Sequence, residues 1–200
     1  MFTTPRLARQ SRNEATRVKV LESVHEAGHA VGRLWTATAL GLTRESAVAW
    51  ITFDRDGTPT TWGPRFGTKI DNGEPATNEQ QLMKAARVRG VDVAAWARAK
   101  SLQIMMGPAG EAKFTSKPFR HVWFGSAASN DRNDLAKDCA LAGICSDDTL
   151  TEILPQVESL LSRSEVWDLV LALGRAVRAS SGLSGAQVAN ISRAFLPDLP

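Results

Sequence analysis

Val24-His25-Glu26-Ala27-Gly28-His29-Ala30 is the stretch on which the reading of this chain turns. It places H-E-x-x-H inside a segment of helical periodicity, where Val18, Leu21, Val24, Ala27 or Gly28, Val31 and Leu34 recur three and four residues apart. Upstream, Ser11-Arg-Asn-Glu14 has the form of a capping box, so a helix is expected over about residues 13–40. Two imidazoles four residues apart lie one above the other on a helical face, and both can then reach a single ion at about 2.0–2.1 Å. Glu26 stands one residue along, able to reach a water beside that ion without ligating it and to take the proton of a water whose pKa the metal has lowered. The chain has only three histidines, which makes chance a poor account of two of them framing a glutamate in this way. His25 and His29 are therefore the expected metal ligands, Glu26 the expected catalytic base and Zn2+ the expected cofactor.

A catalytic zinc takes three protein ligands as a rule, and the third decides the subclass. After His29 come Gly32 and Trp35, and Trp35 stands where a metzincin has its third histidine, so that group is excluded. Glu45, the nearest glutamate downstream, lies at the mouth of a strand and is a weak candidate. His121 sits in Phe119-Arg-His-Val-Trp-Phe124, an apolar run in which a packed histidine is the more ordinary occupant.

Working outward, residues 47–53 alternate in the β manner, and Asp56-Gly57 offers a turn into residues 58–66, giving one hairpin. Residues 67–78 are rich in Gly, Asn, Asp and Pro and read as a loop. A helical tendency covers residues 79–106, with a break near Gly90 and an end at Gly107-Pro108, after which residues 109–114 begin another turn. Residues 117–130 look irregular. Helices are expected from about 131–134 onward, over 148–162 and 165–180, and over 184–195, where Ser184-Gly-Ala-Gln187 forms a second capping box. The fold class is thus mainly α with a small β element, an α+β chain of one domain over residues 1–200. Its core lies at about 13–145, with a C-terminal helical part at about 146–200.

The motif His25-Glu-Ala-Gly-His-Ala30 resembles the active-site helix of FtsH-type zinc proteases, the peptidase partners of membrane-anchored AAA+ unfoldases. In order along the chain, 47–63 resembles the strand that follows that helix, and Met106-Gly-Pro-Ala-Gly-Glu-Ala112 resembles the family's G-G-R-x-A-E-E helix start. Ser129-Asn-Asp-Arg-Asn-Asp-Leu135 resembles the T-G-A-x-N-D-L segment whose aspartate is the third zinc ligand. The resemblance implies a zincin-like helical peptidase domain with a hairpin or edge sheet beside the active-site helix. It also implies Glu111 as a hydrogen-bond partner of a ligand histidine, and either Asp134 or Asp131 as the third ligand. Asp134 is preferred because the apolar phase after it takes in Leu135, Leu141, Ala142 and Cys145, with Asp138 as the misfit; Asp131 has the better upstream match. Gly107-Pro108 replaces the family's Gly-Arg. No Walker-type phosphate loop occurs, so the resemblance is to the peptidase domain alone, and a separate unfoldase or self-association is left as the way substrate arrives.

Composition narrows the classes. With 43% hydrophobic residues the chain can build a core, no apolar run approaches a membrane span, and the first residues lack the apolar stretch of a secretory signal. A soluble, cytoplasmic protein is expected. The two cysteines, Cys139 and Cys145, match neither a C-x-x-C site nor a disulfide framework. The formal charge of +3 is spread among 21 acids, so no nucleic-acid partner is expected. The leading function is hydrolysis of peptide bonds in extended or unfolded polypeptides, which the strand at 47–53 would bind as an added strand. The alternative is a zinc-stabilised adaptor or regulator that cleaves nothing, and a general base in Glu26 speaks against it.

Overall fold

The computed structural model describes residues 5–40, 42–53, 59–62, 90, 92–180 and 182–199. It is mainly helical. Helix α1 runs over Pro5–Thr36, followed by a 3-10 turn at Thr38–Leu40 and a short α2 at Arg44–Ala47. Strands β1 (Trp50–Phe53) and β2 (Pro59–Trp62) form the expected hairpin, with Ile51 opposite Thr61. Helix α3 spans Val93–Thr115, α4 Phe119–Trp123 and α5 Ser129–Ala142. Then come α6 (Ser146–Ser162), α7 (Ser164–Ser180), strand β3 (Gly182–Ser184) and α8 (Gly185–Arg193). Among the described residues no helix is long and apolar enough to cross a membrane.

Small residues fix how the two central helices meet. A Cβ on Gly28 would lie 2.3 Å from the Met106 carbonyl oxygen, and one on Gly32 would lie 2.9 Å from the Gln103 Cα. With Gly110 near Val24 at the other end, the pairings run in opposite directions, so α1 and α3 are antiparallel and almost in backbone contact. On its other side α1 meets α7, where Gly174 lies against the Ser23 carbonyl. The middle of α1 is thus enclosed from several directions, which is why consecutive residues, Ser23 to His25 and Ala30 to Gly32, are buried rather than a single stripe. One core cluster joins α1 and α3 to Ile153 and Val157 of α6, Leu169 and Leu173 of α7, and Val188 of α8.

Three expectations need correction. Helix α1 begins at Pro5, before the Ser11 capping box. Helix α3 continues through Gly107-Pro108 instead of ending there. Proline's fixed φ is compatible with a helix, and although its missing N–H and ring contacts cost on the order of 3 kcal/mol, both residues are buried where α3 crosses α1. Finally, β1 is not an edge: β3 pairs with it on the side away from β2, Ile51 facing Leu183, in a sheet ordered β2-β1-β3. A three-residue strand after a helix leaves almost no periodicity to read. The expected loop at 67–78, and residues 79–89 of the expected helix, lie outside the described residues.

Candidate metal centre

The site is assembled from three helices. α1 presents His25 and His29 on one face, their ring centroids 4.7 Å apart and nearly perpendicular. α5 brings Asp131 from its first turn, with Oδ2 3.1 Å from His25 Nε2 and Oδ1 3.2 Å from His29 Nε2. The three residues offer ligand atoms within 4.8 Å of one another. α3 supplies the backing. Glu111 Oε2 stands 3.2 Å from His25 Nδ1, and the Gln103 carbonyl accepts a hydrogen bond of 2.9 Å from His29 Nδ1. The side chains of His25, His29, Asp131 and Glu111 keep between 11% and 16% exposure, sheltered yet reachable from solvent.

Gln103, Gly107 and Glu111 are spaced four and eight residues apart, so they form one stripe of α3 facing the two histidines. Gly107 is where the His29 ring lies: a Cβ there would come within 2.4 Å of His29 Cε1 and Nε2. On the other flank, Arg132 Nη1 donates to the carbonyls of Trp123 and Gly125, tying the α4–α5 connection to the residue next to Asp131. Glu26 is partly buried beside His25, and its backbone carbonyl accepts a 2.9 Å hydrogen bond from Thr61 Oγ1 of β2. Its charge is felt by His25 and by Arg33. Burial holds the Arg33 guanidinium below its ordinary pKa, against the pull of Glu26 and of Asp138, which lies two turns beyond Asp131 on α5.

The expected preference for Asp134 is reversed by position. Asp134 is 58% exposed and pairs with Lys137 at 3.4 Å, while Asp131 stands between the histidines. The buried face of α5 carries Asp131, Leu135, Asp138 and Cys139, and Leu141 is exposed. The apolar phase that favours Asp134 takes in Leu135, Leu141, Ala142 and Cys145 and leaves Asp138 as its misfit. Leu135 and Cys139 are buried on the side of Asp131, while Leu141, seven residues after Asp134 and on its face, is exposed, and that rotation carries Asp134 out to solvent. Glu45 is also away from the site, exposed and paired with Arg193, and His121 is exposed on α4. Gln103 acts through a backbone atom, which no residue type announces; the stripe it shares with Gly107 and Glu111 was the available signal.

The electrostatics ask for a positive charge at the centre. Burial disfavours a charged His25 ring, but hydrogen bonds to Asp131 and Glu111, with the field of Glu26, outweigh it and push its pKa up to about 10. Burial likewise works against a charged Asp131, yet the two histidines hold its carboxyl well below the usual carboxylate range. A carbonyl can only accept, so the Gln103 contact puts a proton on His29 Nδ1 and leaves Nε2 of the neutral ring with a lone pair. That lone pair faces a carboxylate oxygen at 3.2 Å. Two acceptors at that distance require a cation between them, either a proton or a metal ion. Two imidazole nitrogens and a carboxylate oxygen are the donor types zinc takes, and in the neutral rings they converge with their lone pairs inward, so the residues present fit such an ion. No family model matches this chain, and no curated protein or solved structure does.

Proposed function

We propose that the chain is a zinc-dependent peptidase of the FtsH type, with His25, His29 and Asp131 as the metal ligands and Glu26 as general base. The observation that carries this reading is the convergence of both Nε2 atoms on the Asp131 carboxylate, with a glutamate one residue from the first histidine. When bound there, zinc would polarise the scissile carbonyl and lower the pKa of a water molecule. Glu26 takes the proton of the attacking water and passes it to the leaving amine. Glu111 and the Gln103 carbonyl fix the histidine rings, so that each Nε2 points inward without reorganisation.

Binding of an extended polypeptide falls to β2 rather than β1. Among the described residues β2 lies at the margin of the sheet, and Thr61 ties it to the backbone of Glu26. A peptide added along β2 would run past the catalytic carboxylate by backbone pairing, which gives little sequence preference. The helix bearing both histidines beside an antiparallel sheet supports a zincin-like arrangement. Pairing along a strand takes extended backbone only, so substrates would arrive already unfolded or be delivered by an unfoldase.

The test is zinc content and casein cleavage of the purified chain, with and without a chelator, alongside Glu26→Gln. Zinc near one per chain is expected in both proteins, with the activity of the variant reduced by a factor of about 100 or more. Equal cleavage by the two would overturn the assignment of Glu26. Zinc bound by a wild type that cleaves nothing would favour the adaptor reading.

A further inference from the structure

The two histidines are held by unlike partners, and the one behind His29 is itself locked in place. His25 Nδ1 meets the carboxylate of Glu111, on the surface-facing end of the α3 stripe. His29 Nδ1 donates instead to the backbone carbonyl of Gln103, a residue only 3% exposed. Gln103 Nε2 donates to Thr36 Oγ1 at 2.5 Å, and Thr36 Oγ1 donates onward to the Gly32 carbonyl at 2.9 Å, both within the buried interior. Gln103 Oε1 is left buried with no partner. A residue serving only to fill space here would be apolar and free of that cost. The amide is accounted for by what its other end does: it crosses from α3 to α1 at the point where Gly32 admits the Gln103 backbone, one turn from His29.

We propose that Thr36 and Gln103 form a lock between α1 and α3 that positions His29 as a metal ligand. The lock fixes the carbonyl that holds the ring's Nδ1 proton, so Nε2 is the nitrogen turned toward Asp131. Both residues are positioning residues; neither touches the ion. The inference rests on the metal reading given above and adds to it a cause for the orientation of one ligand. It also divides the labour: His25 is oriented by an anion that can be exchanged by mutation, His29 by a neutral backbone atom that can be moved only through its neighbours.

The experiment uses the full chain and Co2+ as the probe, read by its visible absorption. Thr36→Val keeps the shape of the side chain and removes the hydroxyl; Thr36→Ser restores it. Thr36→Val is expected to weaken Co2+ binding about 10- to 100-fold and to change the ligand-field bands, while Thr36→Ser stays within a few-fold of wild type with its spectrum intact. Thermal unfolding in chelator separates this from a general loss of stability, because a packing defect lowers the midpoint without altering the bands. Wild-type binding and spectrum retained in Thr36→Val would overturn the lock while leaving the metal reading standing. A wild type that takes up no Co2+ would overturn the metal reading itself. A measurement without substitution stands beside these: in long-range 1H–15N spectra of the zinc-loaded wild type, His29 is expected to be coordinated through Nε2 with Nδ1 protonated. Coordination through Nδ1 would overturn the proposal even if every variant failed to fold.

Discussion

The α1–α3 crossing and the α6–α7 pair are both buried, and they are built in opposite ways. In α6 and α7 the buried residues, Thr149 and Gly174 apart, are large and apolar, Ile153, Val157, Leu160 and Leu161 on one helix and Val166, Leu169, Val170, Leu173 and Val177 on the other. At the crossing the contact is made by Gly28, Gly32 and Gly107, and the enclosed space holds His25, His29, Gln103 and Thr36. The first arrangement stabilises through apolar area and tolerates adjustment. The second gives up apolar area to bring two backbones together, because only a close approach lets a carbonyl of α3 reach a ring on α1. Stability and site geometry therefore respond to different substitutions, and the contrast can be tested from its strongest expected effect downward.

The largest effect is expected at Gly28. Gly28→Ala places a Cβ 2.3 Å from the Met106 carbonyl oxygen, a backbone atom with nowhere flexible to retreat, so the helices must separate. A loss of about 3 kcal/mol or more is expected, together with loss of metal binding. Leu173→Ala, in a site with 0% exposure, should cost a similar amount, about 2–5 kcal/mol, yet keep one zinc per chain. Denaturant midpoints and zinc content measured on both variants decide it. A Gly28→Ala protein that folds and binds zinc like wild type would erase the distinction between the two regions.

A pH series sharpens the same contrast. In chelator, His25 carries a pKa raised from 6.5 to about 10 by its carboxylate neighbours. Its charged form is therefore favoured in the folded chain. That contribution is fully present below pH about 6.5 and is lost as pH rises toward 10. The chelated wild type should accordingly unfold more easily at each step from pH 7 to pH 10. Asp131→Asn should show a weaker slope, because the partner that raises the pKa has lost its charge. Thermal midpoints across that range report the slope, and a flat profile in the wild type would remove the electrostatic account of the site.

How much of this could be seen in the sequence follows the same division. The C-terminal helices announce themselves through wide apolar faces and a terminal signal: helices expected at 148–162 and 165–180 occur at Ser146–Ser162 and Ser164–Ser180. Ser184 caps α8, accepting from the Gln187 N–H as the capping box requires. His25, Glu26 and His29 are legible because one helix fixes their spacing. What was not legible depends on contacts between elements. The continuation of α3 through Pro108 is set by burial against α1, the third strand by pairing with β1, and the partner of His29 by a backbone atom. The rotation of α5 escapes the apolar pattern for a more specific reason: Leu141 is apolar yet exposed, so it points to the Asp134 face, while Leu135 and Cys139 are the side chains that pack inward beside Asp131.

The smallest predicted effect follows from that rotation. Asp134 is 58% exposed and its Lys137 contact, at 3.4 Å across one turn of helix, is a solvated pair. Such pairs contribute between nothing and about 1 kcal/mol, so Asp134→Ala should change stability by no more than about 0.5 kcal/mol and leave zinc at one per chain. Asp131→Ala, removing the carboxylate that stands between the two histidines, should abolish stoichiometric binding. Because the two residues are three apart on one helix, the pair of variants reads the rotation of α5 directly. Zinc retained in Asp131→Ala and lost in Asp134→Ala would mean that α5 is turned the other way, with Cys139 carried toward solvent and Leu141 packed inward. Because Cys139 is 1% exposed and Leu141 40%, that outcome would require one buried side chain brought out of the interior and an exposed apolar one taken in, and a third variant, Leu141→Ala, would then be expected to destabilise the chain where at present it should not.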